Sequence, residues 1–209
     1  MQVQFMPDTS FLRSRGRPRG YDQTSAVDAA MRIFWMKGYD QAPVDMLCRA
    51  MGMPRHSLYK TFDSKQGLFL AALAHYAETR LRPVWRALGP KGSLEEDLTA
   101  FFAQIVQLSA GDPRMRGCLV SSVLLEAATN NALLQEECNR RLVALESRIA
   151  ERLVADGWPE EGDCPSQVSA SLIAAMARGI VQRARAGQDA AGLRRIGQAA
   201  VRAVAGLRG

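Results

Sequence analysis

The sequence predicts an all-α protein, with a small three-helix unit at the N-terminus, a larger helical domain behind it, and about nine helices in total. Three observations carry the prediction. Apolar residues recur at helical spacing to the C-terminus with no strand-like alternation. Gly52 divides two short amphipathic stretches, and Gly-Pro breaks at 89–90, 111–113 and 157–159 punctuate the later runs. With 209 residues, 47% of them hydrophobic, the chain can bury a substantial core in one compact unit or two small ones.

Residues 1–20 read as a disordered basic arm. Pro7, Asp8, Thr9 and Ser10 favour irregular chain, and the stretch lacks the charge run and long apolar segment of a signal peptide. Arg13, Arg15, Arg17 and Arg19 place four cations in seven residues with no acid among them, while Gly16, Pro18 and Gly20 oppose a helix. Such an arm suits a narrow minor groove, where negative potential is focused, and its core RGRPR resembles an AT-hook. The same composition also serves as a solubilising tail.

Residues 21–65 carry the most specific pattern. The run AVDAAMRIFWMKGYD predicts a first helix ending at Gly38-Tyr39. In VDMLCRAMGMPRHSLYKTF, residues 44–62, Val44 and Leu47 supply the inner face of a second helix, and Cys48 is small enough for a close neighbour. Gly52 permits a left-handed corner, Met53 plugs it, and Leu58 and Phe62 anchor a third helix. Arg55, His56, Ser57, Lys60 and Thr61 are left pointing outward. This is the pattern of a helix-turn-helix whose second helix lies in a DNA major groove. An ordinary helical hairpin needs the same glycine and apolar positions, so on these residues alone both readings stand.

From Arg15 to about Leu81 the chain resembles the DNA-binding region of the TetR family of bacterial one-component repressors. The matching pieces are the RGRPR arm, the first helix, the helix-turn-helix, and Leu58-Tyr59-Lys60-Thr61-Phe62 followed by Ser64-Lys65, which open a long fourth helix. The resemblance implies that Arg55, Ser57 and Lys60 face base edges or adjacent phosphates, with Thr61 on the same side. It implies that Tyr59 sets its ring against the helical core and its hydroxyl on a phosphate, and that Lys65 adds charge to backbone amides suited to phosphate. The chain departs from the family just before the second helix, where a Thr followed by Ser or Thr is usual and Ala42-Pro43 stands instead. Pro43 suits the first helical position and leaves a backbone contact to DNA. Ala42 lacks the capping hydroxyl, at a cost of roughly 0.5–2 kcal/mol. His56 replaces a residue that is often small or Pro, and either shapes sequence preference or sits exposed.

Residues 66–209 predict a ligand-binding and dimerisation domain. Leu94, Leu98, Phe101, Phe102, Ile105 and Leu108 form one helical face, and Cys118 to about Ala128 reads as a short buried helix. Leu134, Cys138, Leu142, Leu145, Ile149 and Leu153 stripe a long helix. Two last helices follow, one with Val168, Leu172, Ala175, Met176 and Gly179 on a small-residue face, the other with Leu193, Ile196, Ala200, Val204 and Leu207. In the family the corresponding pair meets its symmetry mate as a four-helix bundle; the alternative is that both stripes are spent inside one subunit. A two-fold homodimer would place its reading helices about one DNA turn apart on an approximately palindromic double-stranded operator.

Charge distribution agrees with a DNA partner. Residues 1–65 hold ten Lys/Arg against six Asp/Glu, while residues 66–209 hold seventeen against fifteen. No apolar run approaches the roughly 20 residues of a membrane span, so a cytoplasmic protein is expected. His56 and His75 are the only histidines, and the four cysteines lack paired metal-binding spacing. With no Gly-rich phosphate loop either, neither an enzyme nor a metal or other cofactor is expected.

A small-molecule inducer, or an electrophile or oxidant, would act through the second domain. Trp85, Phe101, Phe102, Met115, Leu119, Val123 and Met176 are candidates for an apolar pocket, and each also fits ordinary core. Cys118, in Arg114-Met-Arg116-Gly117-Cys118-Leu119, stands at a predicted helix start beside two arginines, which favours thiolate. The segment resembles the RGCL element of TetR regulators related to the electrophile- and hypochlorite-responsive N-ethylmaleimide repressor, and of relatives with no redox role. The reading that results is a ligand- or thiol-responsive repressor. A helical ligand-binding or scaffolding protein with a degenerate helix-turn-helix is the alternative.

Overall fold

The computed structural model describes residues 22–207, and all regular structure among them is helical. Helix α1 (Gln23–Lys37) begins where the Asp22 carboxylate accepts the amides of Thr24 and Ser25, and stops at Gly38, whose φ of 87° few other residues tolerate. Helices α2 (Val44–Met51) and α3 (Arg55–Phe62) meet at Gly52, in the left-handed region at φ 64°, ψ 29°. Helix α4 opens with the Ser64 hydroxyl capping the amide of Gly67, runs over Lys65–Tyr76, and passes through a π-helical turn (Ala77–Leu81) into Arg82–Ala87 without a break.

A reciprocal Ser93–Glu96 capping box starts α5 (Leu94–Ala110). Helix α6 combines a π-helical turn (Leu119–Leu124) with Leu125–Ala127. Helices α7 (Ala132–Ala155), α8 (Ser166–Arg185) and α9 (Ala190–Ala205) complete the chain, giving nine helices among the described residues. None of these is long and apolar enough to cross a membrane.

Three aromatic contacts tie α4 to the helix-turn-helix head. Phe69 of α4 packs edge-on against Phe34 of α1 at 4.9 Å and against Tyr39 at 4.9 Å, so the first half of α4 is part of the head's core. Tyr76 then meets Trp35 of α1 edge-to-face at 5.0 Å. In the second domain α5, α8 and α9 pack against one another, and α7 packs along α8. Buried Arg152 of α7 donates to buried Asp97 of α5 at 2.9 Å and to the carbonyl of Gly92 at 3.2 Å, tying both helices to the loop between α4 and α5.

The two assembly stripes have different fates. On α9, Leu193, Ala200 and Val204 are buried within the subunit, and a Cβ at Gly197 would sit 3.1 Å from Cβ of Phe102. Most of that stripe faces α5, while Ile196 is half-buried and Leu207 remains 37% exposed. On α8, Val168 and Leu172 remain 55% and 38% exposed, beside exposed Ala175 and Gly179. Pro43 is not the first helical residue but the one before it, extended at φ −69°, ψ 149°, with its carbonyl accepting from Met46 and Leu47. Ala42 is fully buried beneath it. Pro54 precedes α3 in the same way, so both helices of the corner start without a side-chain cap.

Candidate DNA-reading face and sensor cavity

Helix α3 has an inner and an outer side. Leu58 is 0% and Phe62 8% exposed, while Arg55, His56, Tyr59, Lys60 and Thr61 are exposed and Ser57 is half-buried. Arg55 is not free, however. Its Nε and Nη2 donate to the Asp45 carboxylate at 2.6 and 2.7 Å, a two-pronged bridge from the first turn of α3 to the first turn of α2. The bond holds the Asp45 carboxyl below the usual carboxylate range. Nothing in the sequence pairs two residues ten apart; the glycine corner does.

Other expected contacts are placed as follows. The Tyr59 ring faces outward rather than against the core, because the inner positions of α3 are taken by Leu58 and Phe62. The hydroxyl of Ser57 and Nε2 of His56 lie 3.2 Å apart. Lys65 leans back, its Nζ 4.6 Å from the centre of the Tyr39 ring and donating to the Asp40 carbonyl at 3.4 Å. Burial lowers its pKa, opposed by the charge of Asp40. Pro43 is exposed beside this surface. Arg15, Arg17 and Arg19 lie outside the described residues.

A cavity of about 660 Å³ opens among α4, α5, α6, α7 and α8. Trp85 and Cys118 line it, together with Leu81, Ile105, Leu142 and Val181. The remaining aromatic and apolar candidates do not. Phe101, Phe102, Leu119 and Val123 are sealed in the core, Met115 borders a separate cleft on the far side of Val84, and Met176 packs against the core. Their helical spacing marked an inner face, and inner faces are mostly filled by neighbouring helices.

Cys118 stands immediately before α6, as its position in the sequence predicts, but its neighbours differ. Arg114 points into solvent near Asp112, and Arg116 donates to the carbonyls of Ala184 and Gln188, closing the end of α8. The group that meets the thiol is Tyr76, whose hydroxyl donates to Cys118 Sγ at 3.2 Å. Burial, with the adjacent Cys118, pushes the Tyr76 hydroxyl well above the ordinary phenol pKa. Cys118 is 4% exposed, and the cavity wall is where it is approached.

A glycine-cornered pair of short helices, carried on a helical bundle with its own cavity, is the frame of a helix-turn-helix regulator. Residues 26–72 match the family of bacterial regulatory proteins named after TetR, and residues 95–199 match the C-terminal domain of LmrA/YxaF-like transcriptional regulators. The chain belongs to the TetR family. The transcriptional repressor ComR of Escherichia coli K12 is 32% identical over 109 residues, a match taking in 52% of each protein, so the chain spans about half the length of this curated relative. Among solved structures, a cysteine mutant of the TetR-family regulator CifR, complexed with 26-bp double-strand operator DNA, superposes with a TM-score of 0.81. It is 29% identical, with 90% of this chain and 99% of that chain covered. The reduced form of E. coli NemR shares the fold, with a TM-score of 0.70 at 16% identity over 87% of this chain and 94% of that one.

Proposed function

We propose that the protein is a homodimeric transcriptional repressor of the cytoplasm that reads a palindromic operator through α3 and lets go of it when the cavity is occupied or its thiol modified. The observation that carries this reading is the division of α3, with Leu58 and Phe62 inside and Tyr59 and Lys60 exposed on the opposite side. The operator complex of the CifR mutant, at 29% identity over nearly the whole chain, supports it. In this proposal Lys60, His56, Ser57 and Thr61 face bases, while Pro43, Tyr59, Lys65 and the arm residues Arg15, Arg17 and Arg19 face the backbone and minor groove. Arg55 steers α3 through Asp45 and contacts phosphate with whatever donors that bridge leaves. The exposed face of α8 meets its two-fold mate.

Gel shifts and footprints on the region upstream of the protein's own gene test this. Two protected half-sites and an affinity that falls steeply with salt are expected. Lys65→Ala weakens binding to all sequences alike, whereas Lys60→Ala also relaxes base preference. Equal, sequence-independent losses in both variants would overturn the division of roles. No salt-dependent binding at all would leave a helical ligand-binding scaffold.

For the sensor, Tyr76 supplies a route. Its hydroxyl meets Cys118 at the cavity and its ring meets Trp35 in the head, so a group added at Cys118 displaces a residue on which α1 rests. Cys118→Ser keeps an oxygen to accept the Tyr76 bond and removes the nucleophile. This variant is expected to bind operator as before and to resist release by N-ethylmaleimide or hypochlorite. Unaltered release would dispose of a thiol switch at this position.

A further inference from the structure

We propose that the cavity is built for an amphipathic organic anion, with an apolar or aromatic body inside and a carboxylate-like group held at the rim by Arg82, Arg86 and Arg148. This rests on reading the cavity as the sensor site and adds the charge and shape of what it takes. The lining holds five arginines against a single acid, Glu78. Two of the five are already engaged, Arg141 by Glu137 and Arg178 by Glu146 at 3.5 Å. Arg82, Arg86 and Arg148 form no ion pair among the described residues, and all three are exposed, which puts them at the opening rather than the floor.

Their placement is organised. Arg82 and Arg86 are four residues apart in the last segment of α4 and so share one face. Arg148 reaches from α7, with its guanidinium 5.3 Å from the centre of the Trp85 ring, so it is held beside the same segment. Cations gathered at the edge of a low-dielectric wall repel one another and focus the field on an incoming anion. A neutral apolar ligand gains nothing from them, and a cation is turned away. The guanidinium fork matches a planar carboxylate or a sulfonate by paired hydrogen bonds. A volume of about 660 Å³ suits a drug-sized body.

The test uses full-length protein and two fluorescent probes of similar shape, anionic 8-anilinonaphthalene-1-sulfonate and neutral N-phenyl-1-naphthylamine. The ratio of sulfonate to neutral affinity is expected to fall at least about tenfold in Arg148→Gln and in the Arg82→Gln/Arg86→Gln pair. It recovers only in part in Arg148→Lys, which restores the charge but not the fork. The neutral probe keeps its affinity throughout, which reports that the cavity is intact. Decanoate displaces the sulfonate, and decanol at the same concentration does not. A ratio unchanged by all three glutamines, or decanol competing as well as decanoate, overturns the proposal. A parallel gel shift separates this from the sensor reading: decanoate that binds without weakening operator affinity removes the sensor role and leaves the anion site standing.

Discussion

Arg152→Ala is expected to cost about 3–5 kcal/mol of folding stability. Arg152 and Asp97 are both buried, and the guanidinium holds α5, α7 and the Gly92 carbonyl together while also lying 3.6 Å from Asp156. Truncating the arginine leaves Asp97 in the interior with only the amide of Lys91, 3.2 Å away, to satisfy it. Most of the loss is the penalty of that stranded charge, not the attraction that was removed. The double variant Asp97→Ala/Arg152→Ala should therefore be less damaged than the sum of the two single variants. Urea denaturation of the four proteins checks this, and a strictly additive cycle would show that the two side chains do not act as a pair. Because Arg86 and Gly89 line the cavity just before this tied loop, the single variants should also loosen the cavity's α4 wall.

Gly67→Ala is expected to damage the reading head more than any substitution on its outer surface. A Cβ at Gly67 would lie 2.0 Å from the carbonyl oxygen of Phe62, a backbone atom that cannot swing aside. Space must come from prising α3 away from α4, at about 1–3 kcal/mol of stability. Leu58 and Phe62 would carry the tilt to every outward side chain of α3, so operator affinity should drop by at least about tenfold, the value of one good base contact. Titrating a labelled operator with the variant measures this. Wild-type affinity in a protein shown to have lost stability would mean that α3 tolerates a change of angle. The α-helical backbone at Gly67 makes this a purely steric effect, unlike Gly52, where a left-handed φ adds conformational strain to any side chain.

What could be seen from sequence was whatever local pattern determines. Gly52, Leu58 and Phe62 gave the corner and its anchors, Ser64 announced α4, and the stripe from Leu94 to Leu108 announced α5, because capping and periodicity act over a few residues. The family motif fell in the same stretch. What was hidden depends on long separations. Tyr76 and Cys118 are 42 residues apart and Asp97 and Arg152 are 55, and no local signal joins either pair. The four-residue spacing of Arg82 and Arg86 is visible, but the arrival of Arg148 beside Trp85 is a product of packing. The same holds for the pocket candidates. Phe101, Phe102, Leu119 and Val123 have the spacing of an inner face, which does not distinguish core from cavity wall. The π-helical turns at Ala77–Leu81 and Leu119–Leu124 left no trace in composition, although they flank the Tyr76–Cys118 contact.

The double duty of Tyr76 constrains how this regulator can diversify. One phenol abuts both the chamber and the helix that carries the head, so reshaping the chamber near Cys118 for a new inducer also reseats Trp35. On the proposed sensor reading, inducer preference and leakiness of the uninduced promoter would be tied to a shared residue. Descendants that switch effectors by changing this corner would inherit altered resting expression, whereas those that recruit new effectors through the arginine rim would not.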